Sequence, residues 1–75
     1  MTTRQIVLRL REHSGLNQVE FGKAIGVSGT AVMLWEHGKR IAPFNRMRLL
    51  AFARSKNAPP DLVAALEQAQ PELSQ

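Results

Sequence analysis

The 75-residue chain contains no cysteine, which excludes a disulfide framework, a thiol nucleophile and a cysteine zinc site, staples on which small domains often rely. It has no run of about 18 apolar residues and no signal-peptide pattern. The expectation is a soluble, cytoplasmic protein with no membrane partner. Catalytic pairings are missing as well. His13 and His37 have no carboxylate and hydroxyl companions at a recognisable spacing, and they lack the further ligands a metal needs. Glu12, Glu20 and Glu36 do not form an acid pair. No enzyme activity, metal or cofactor is therefore expected. β-alternation, internal repeats and low-complexity tracts are also absent.

What is present fits one small packed domain. Hydrophobic residues make up 44% of the sequence, near the globular average, and the length leaves no room for a separate catalytic or ligand-binding module. The formal net charge of +4 is unevenly spread. Residues 1–56 hold all ten Lys/Arg against three Glu, leaving +7, whereas residues 57–75 hold Asp61, Glu67 and Glu72 and no base, leaving −3. The basic part suits a polyanion, and the acidic end faces elsewhere.

Helical periodicity runs through most of the chain. Ile6, Val7 and Leu10 predict a first helix over residues 3–14, ended near Gly15. Asn17 followed three residues later by Glu20 is a capping box that starts a second helix at Gln18, with Val19, Phe21 and Ile25 as its expected buried side and Gly26 as its stop. Ser28 caps a third helix whose inward stripe is Val32 and Trp35, closed by Gly38. Pro43 suits the first position of a fourth helix running to about Ser55, with Phe44, Met47, Leu50, Ala51 and Arg54 as its expected stripe. After Pro60, Asp61 sits in a favourable first turn, and Leu62, Val63, Leu66 and Ala69 mark a fifth helix ending before Pro71. The expected domain spans residues 1–70, with 71–75 as a frayed tail. The second and third helices, separated by a short glycine-containing turn, have the spacing of a helix-turn-helix.

The stretch from Leu10 to Pro43 resembles the Cro/CI (Xre-type) family of phage and bacterial repressors. The residues that carry the resemblance are Leu10-Arg11, Gly15-Leu16-Asn17-Gln18, Phe21-Gly22, Gly26-Val27-Ser28, Val32, Trp35-Glu36, Gly38-Lys39-Arg40 and Pro43. It implies an all-α, compact five-helix, lambda-repressor-like DNA-binding domain. It further implies a sequence-specific transcriptional regulator, a repressor or autorepressor, that binds a two-fold symmetric operator as a homodimer.

The resemblance also assigns roles. The third helix would lie in the major groove, placing Gly29, Thr30, Met33 and Leu34 at base edges. Gly29 departs from the family pattern, where a long polar side chain is common, so readout is expected to lean on thymine methyls and DNA shape. Whether Met33 and Leu34 face DNA, the core or a protein interface is left open. Phosphate contacts are expected from Gln18, Asn17, Ser28, His37, Lys39, Arg40 and Arg46, with Arg46, like Arg4 and Arg48, equally explicable as a solvated charge. Gly22 stands where the family usually has alanine and would let the second helix approach the third closely. Arg11 and Glu36 are expected to form a partly buried salt bridge. The apolar stripe of the fifth helix, Leu62, Val63 and Leu66 with Ala69, would either form the dimer seam or close the monomer's own core. Partners beyond double-stranded DNA would be a second copy and a toxin or phage factor. The alternative is a protein-interaction module with the same fold and little DNA binding.

Overall fold

Two helix starts in this chain use one device. Thr2 Oγ1 accepts a bond from the Gln5 N–H at 3.2 Å while Gln5 Oε1 accepts from the Thr2 N–H at 2.9 Å. Asn17 Oδ1 accepts from the Glu20 N–H at 2.8 Å, and Glu20 Oε1 accepts from the Asn17 N–H at 3.0 Å. Each box satisfies two backbone donors that a helix start would otherwise leave orphaned. Ser28 caps the third start with a single bond to the Ala31 N–H, and Pro43 opens the fourth, where its missing N–H costs nothing.

A computed structural model describes residues 1–68. The elements are α1 (Thr3–Ser14), α2 (Gln18–Ile25), α3 (Gly29–Glu36), α4 (Pro43–Ser55) and α5 (Pro60–Gln68). The protein is all-α, with no strand among the described residues. The expected residues 69–75, including Ala69 of the α5 stripe and the tail, lie outside the described residues.

One core holds the five helices together. It is built from Ile6, Val7 and Leu10 of α1, Phe21 and Ile25 of α2, Val32 and Trp35 of α3, Ile41 of the following loop, Leu49, Phe52 and Ala53 of α4, and Ala58, Leu62 and Leu66. Phe21 and Phe52 meet edge to face, with ring centroids 5.2 Å apart, joining α2 to α4. With α1 and α4 behind them, α2 and α3 are fixed as a pair.

Their closeness depends on Gly22. A Cβ built there would stand 2.7 Å from the Val27 carbonyl oxygen and 3.0 Å from Ser28 backbone atoms. Gly26, which ends α2, has φ +93°, a conformation that residues with a Cβ rarely adopt. The turn is therefore both sharp and tightly packed.

The structure corrects three sequence expectations. Val19, expected inside, is 57% exposed; it lies two residues, about 200°, from Phe21 on a helical wheel, and the buried residues of α2 are Phe21, Gly22 and Ile25. On α4 the expected stripe is turned outward: Phe44 and Met47 are 65% and 59% exposed, Ala51 and Arg54 are exposed, and only Leu50 packs in part against the core. The buried face is instead Arg46, Leu49, Phe52 and Ala53. Apolar residues occupy every side of α4, so periodicity alone could not choose between the two registers. Arg46 itself is 3% exposed, which takes it off the surface where a phosphate contact was expected.

Of the two uses left open for α5, Leu62 and Leu66 take the second, closing the monomer's own core. Both are buried within this one chain, and Val63 packs against the same core. Leu62 and Leu66 are therefore not free to form a seam.

Two outcomes follow for stability. Leu49→Ala should lose about 3 kcal/mol, the range for deleting a buried leucine side chain, whereas Met47→Ala should change stability by less than about 0.5 kcal/mol; urea unfolding of the two variants compares them, and equal losses would put α4 in the other register. Gly22→Ala should destabilise by about 2 kcal/mol through overpacking despite alanine's better helix propensity, and a gain in thermal midpoint would contradict the tight α2–α3 contact.

Candidate functional site

Arg11 comes from α1, Glu36 from the last turn of α3 and Gln18 from the first turn of α2. Helix phase brings all three to one point. Arg11 Nε donates to Glu36 Oε2 at 2.5 Å and Arg11 Nη2 to Glu36 Oε1 at 3.2 Å, a two-pronged pairing. Gln18 Nε2 donates to Glu36 Oε1 at 3.0 Å, and Arg11 Nη1 donates to the Leu16 carbonyl oxygen at 3.2 Å. The expected salt bridge is therefore present, and Gln18, expected on a phosphate, is its third member.

The cluster is partly shielded, the Glu36 side chain being 9% exposed. Burial pushes the Glu36 carboxyl up, but the hydrogen bonds from Arg11 and Gln18 and the charges of Arg11 and His37 outweigh it, and the group is held below its ordinary value. The hydrogen bond to Glu36 raises the Arg11 guanidinium against the opposing effect of its own desolvation.

This clamp holds α2 and α3 so that their outer surface has a defined shape. Thr30, Met33 and Leu34 are all exposed on α3, and Gly29 is partly covered. The core option for Met33 and Leu34 is thereby closed. Exposed Val19 joins them from α2: Gln18, Val19, Gly29, Thr30 and Met33 line one open depression.

The expected phosphate residues are distributed differently. Asn17 and Ser28 lie at the helix starts, with their side-chain oxygens engaged as caps. The backbone N–H groups of Gln18 and Val19, and of Gly29 and Thr30, fall in first turns, where a helix supplies no internal acceptor. The His37 ring lies on its own helix end, with Nδ1 2.8 Å from the Met33 carbonyl oxygen. Lys39 and Arg40 are exposed in the loop after α3. Arg46 is buried, as described above.

The charges have a pattern of their own. The α5 acids lie against bases elsewhere: Asp61 pairs with Arg9 of α1 at 3.2 Å and Glu67 with Arg54 of α4 at 2.5 Å. On α2 and α3 the acids are engaged too, Glu20 with the Asn17 N–H and Glu36 with Arg11 and Gln18. Among the described residues, no group of three or more His, Cys, Asp or Glu could hold a metal ion, and no helix is long and apolar enough to cross a membrane.

No family model, curated protein or solved structure matches the chain.

Sequence reasoning missed two contributors. Arg48 Nη1 donates to the Gly26 carbonyl oxygen at 3.0 Å and its guanidinium lies 4.6 Å from the centre of the Phe44 ring, so α4 braces the turn between α2 and α3. Val19 was missed as a surface residue because it was assigned to the core. Its 200° offset from Phe21 was the available signal.

The Glu36 shift has a pH signature. A carboxyl held low in the folded state stabilises fully above its unfolded value, near 4.5, and that stability is lost as pH falls through the lower folded value. Glu36→Gln should unfold about 2 kcal/mol more easily at neutral pH and should approach the unsubstituted protein in stability as the pH is lowered through the acid range. Urea titrations at a series of pH values measure this. A gap that stayed constant down to pH 2 would remove Glu36 from the acid response.

Proposed function

We propose that this protein is a sequence-specific DNA-binding regulator in which α2, the Gly26 turn and α3 form a helix-turn-helix. The observation that carries the proposal is the exposed face of α3. Thr30, Met33 and Leu34 stand clear of the core on a helix of eight residues that is clamped at its end by Arg11 and packed against α2 through Gly22. A helix in this attitude fits the major groove, with its first turns at base edges and α2 across the backbone.

Electrostatics support the same assignment. Lys39 and Arg40 follow α3 directly, and the acids of α2 and α3 are engaged within the fold. The first turns of α2 and α3 add backbone donors suited to phosphate oxygens. A single module of this size covers little duplex, so two copies on half-sites one helical turn apart are the expected binding unit. With Leu62 and Leu66 in the core, the contact between copies lies elsewhere on the surface. Control of its own gene through an upstream operator is the regulatory role proposed.

One observation favours a second function, a protein-interaction module. Phe44 and Met47 are the most exposed of the larger apolar side chains on the helices, and apolar surface of that kind serves protein contacts.

A single binding study separates the two. Retention of duplexes, including the region upstream of the gene, should yield a two-fold symmetric motif whose affinity falls steeply with salt. Lys39→Ala combined with Arg40→Ala should weaken all sequences alike and reduce the salt slope by about 2, roughly one unit per lost phosphate contact. Thr30→Ala should change the ranking of sites. An unaltered slope in the double variant would exclude those two residues from phosphate contact, and no retained duplex even at low salt would leave the interaction module.

A further inference from the structure

The outer side of α4 carries an apolar stripe within a segment that has no acids. By helical phase, Phe44, Met47, Arg48, Ala51 and Ser55 fall within about a third of a turn of one another. Phe44 and Met47 are mostly exposed, and Ala51 and Ser55 are exposed with them. Beside the stripe runs an open groove between α4 and the end of α2, lined by Ala24, Ile25, Arg48, Ala51, Phe52 and Ser55. Two cations flank it, each held at an aromatic ring. The Arg48 guanidinium lies 4.6 Å from the centre of the Phe44 ring and is tied to the Gly26 carbonyl oxygen, and Lys56 Nζ lies 5.8 Å from the centre of the Phe52 ring. From His37 to Pro60 the chain has six Lys or Arg and no Asp or Glu.

We infer that this face binds an acidic amphipathic helix of another protein. The inference deepens the protein-contact reading of Phe44 and Met47 given above and does not rest on DNA binding. Charge and shape choose the occupant. An apolar stripe beside a groove takes the ridge of a helix, with side chains at i, i+3 and i+7 as anchors. A nucleic-acid backbone answers the cations but leaves Phe44 and Met47 without apolar cover. A second copy of this chain is poorly supplied with acids for the purpose, because Asp61, Glu67, Glu20 and Glu36 are engaged within the fold. A different helix with acids of its own satisfies both the stripe and the charges. Arg48 and Lys56 are eight residues apart, about 12 Å along a helix axis. The partner's carboxylates are therefore spaced seven or eight residues apart, with apolar side chains between them to cover Met47 and Ala51. Exposed ion pairs contribute little affinity, so the apolar anchors supply most of the binding and the charges set its direction.

The test is a displayed library of helical peptides, randomised along one face and selected on the full protein. The retained consensus should carry apolar residues at i, i+3 or i+4, and i+7, flanked by Asp or Glu seven or eight residues apart. Fluorescence anisotropy with the synthesised consensus should show about ten-fold weaker binding to Met47→Ser, the loss expected for one apolar anchor. With each peptide carboxylate exchanged in turn for its amide, one exchange should cost about three-fold in the unsubstituted protein and nothing in Lys56→Gln. Both substitutions fall at exposed positions, and helical circular dichroism confirms folding. No retained peptide, a consensus without acids, equal binding to Met47→Ser, or carboxylate losses that both persist in Lys56→Gln would overturn the inference. Self-association abolished by Met47→Ser would assign the face to a second copy and overturn it as well. Duplex retention by the same variants reads the DNA-binding proposal separately, so that either can fail alone.

Discussion

The Arg11–Glu36 pair is the constraint on which the arrangement of the first three helices depends. It fastens α1 to the end of α3, and through Gln18 it also takes hold of the start of α2. Ion pairs of this kind are weak evidence of net stability, because desolvation offsets much of the attraction. Their effect is on geometry. A bidentate guanidinium–carboxylate contact has a preferred plane and direction, whereas the apolar core below it, Leu10, Phe21, Val32 and Trp35, would tolerate small slides of one helix over another. Polar contacts that fix direction and apolar contacts that supply the driving force thus divide the work between them.

A second fixed point lies at the other end of the α2–α3 pair. Gly22 admits the backbone of Val27 and Ser28 to a distance that a methyl group would forbid, and Arg48 of α4 holds the Gly26 carbonyl from outside. The clamp at the end of α3 and the close approach at the turn together restrict rocking between the two helices. On the function proposed above, such a restriction would help a surface that presents the first turns of both helices at once, since preorganised geometry lowers the ordering cost of association. The same rigidity keeps Val19 and Gly29 in contact as two walls of one depression.

How much of this was legible in the sequence follows from the range of the interactions involved. Helix starts and stops are decided within three or four residues, so Asn17 with Glu20, Ser28, Pro43 and Gly26 marked boundaries that the structure reproduces. The Arg11–Glu36 pair was legible through the family resemblance, not through spacing, because 25 residues separate its partners. The buried face of α4 was not legible. Phe44, Met47 and Ala51 compete there with Leu49, Phe52 and Ala53 for the core, and a buried Arg46 on the winning side runs against any hydrophobicity argument. The stripe of α5 was legible as apolar, but a stripe states that cover is needed and not which surface supplies it. Among the site residues, Thr30, Met33 and Lys39 were placed on the surface as expected, while Gln18 was claimed by Glu36.

The distribution of charge gives these local facts a direction. In sequence the acids cluster late and the bases early, which on its own describes only a composition gradient. In the fold, α5 returns against α1 and α4, and its Asp61 and Glu67 meet Arg9 and Arg54. Two of the bases are thus matched with acid on the side that α5 covers. Glu20 and Glu36, the acids of α2 and α3, are engaged by a cap and a clamp, so structural needs of the helices also set where those negative charges are spent. Lys39 and Arg40 lie exposed in the loop that follows α3. A polyanion approaching the α2–α3 side would meet these exposed bases beside an open depression lined in part by Val19 and Met33. On the function proposed above, charge would draw in the backbone of such a ligand without regard to sequence, and discrimination would fall to the side chains that α3 exposes.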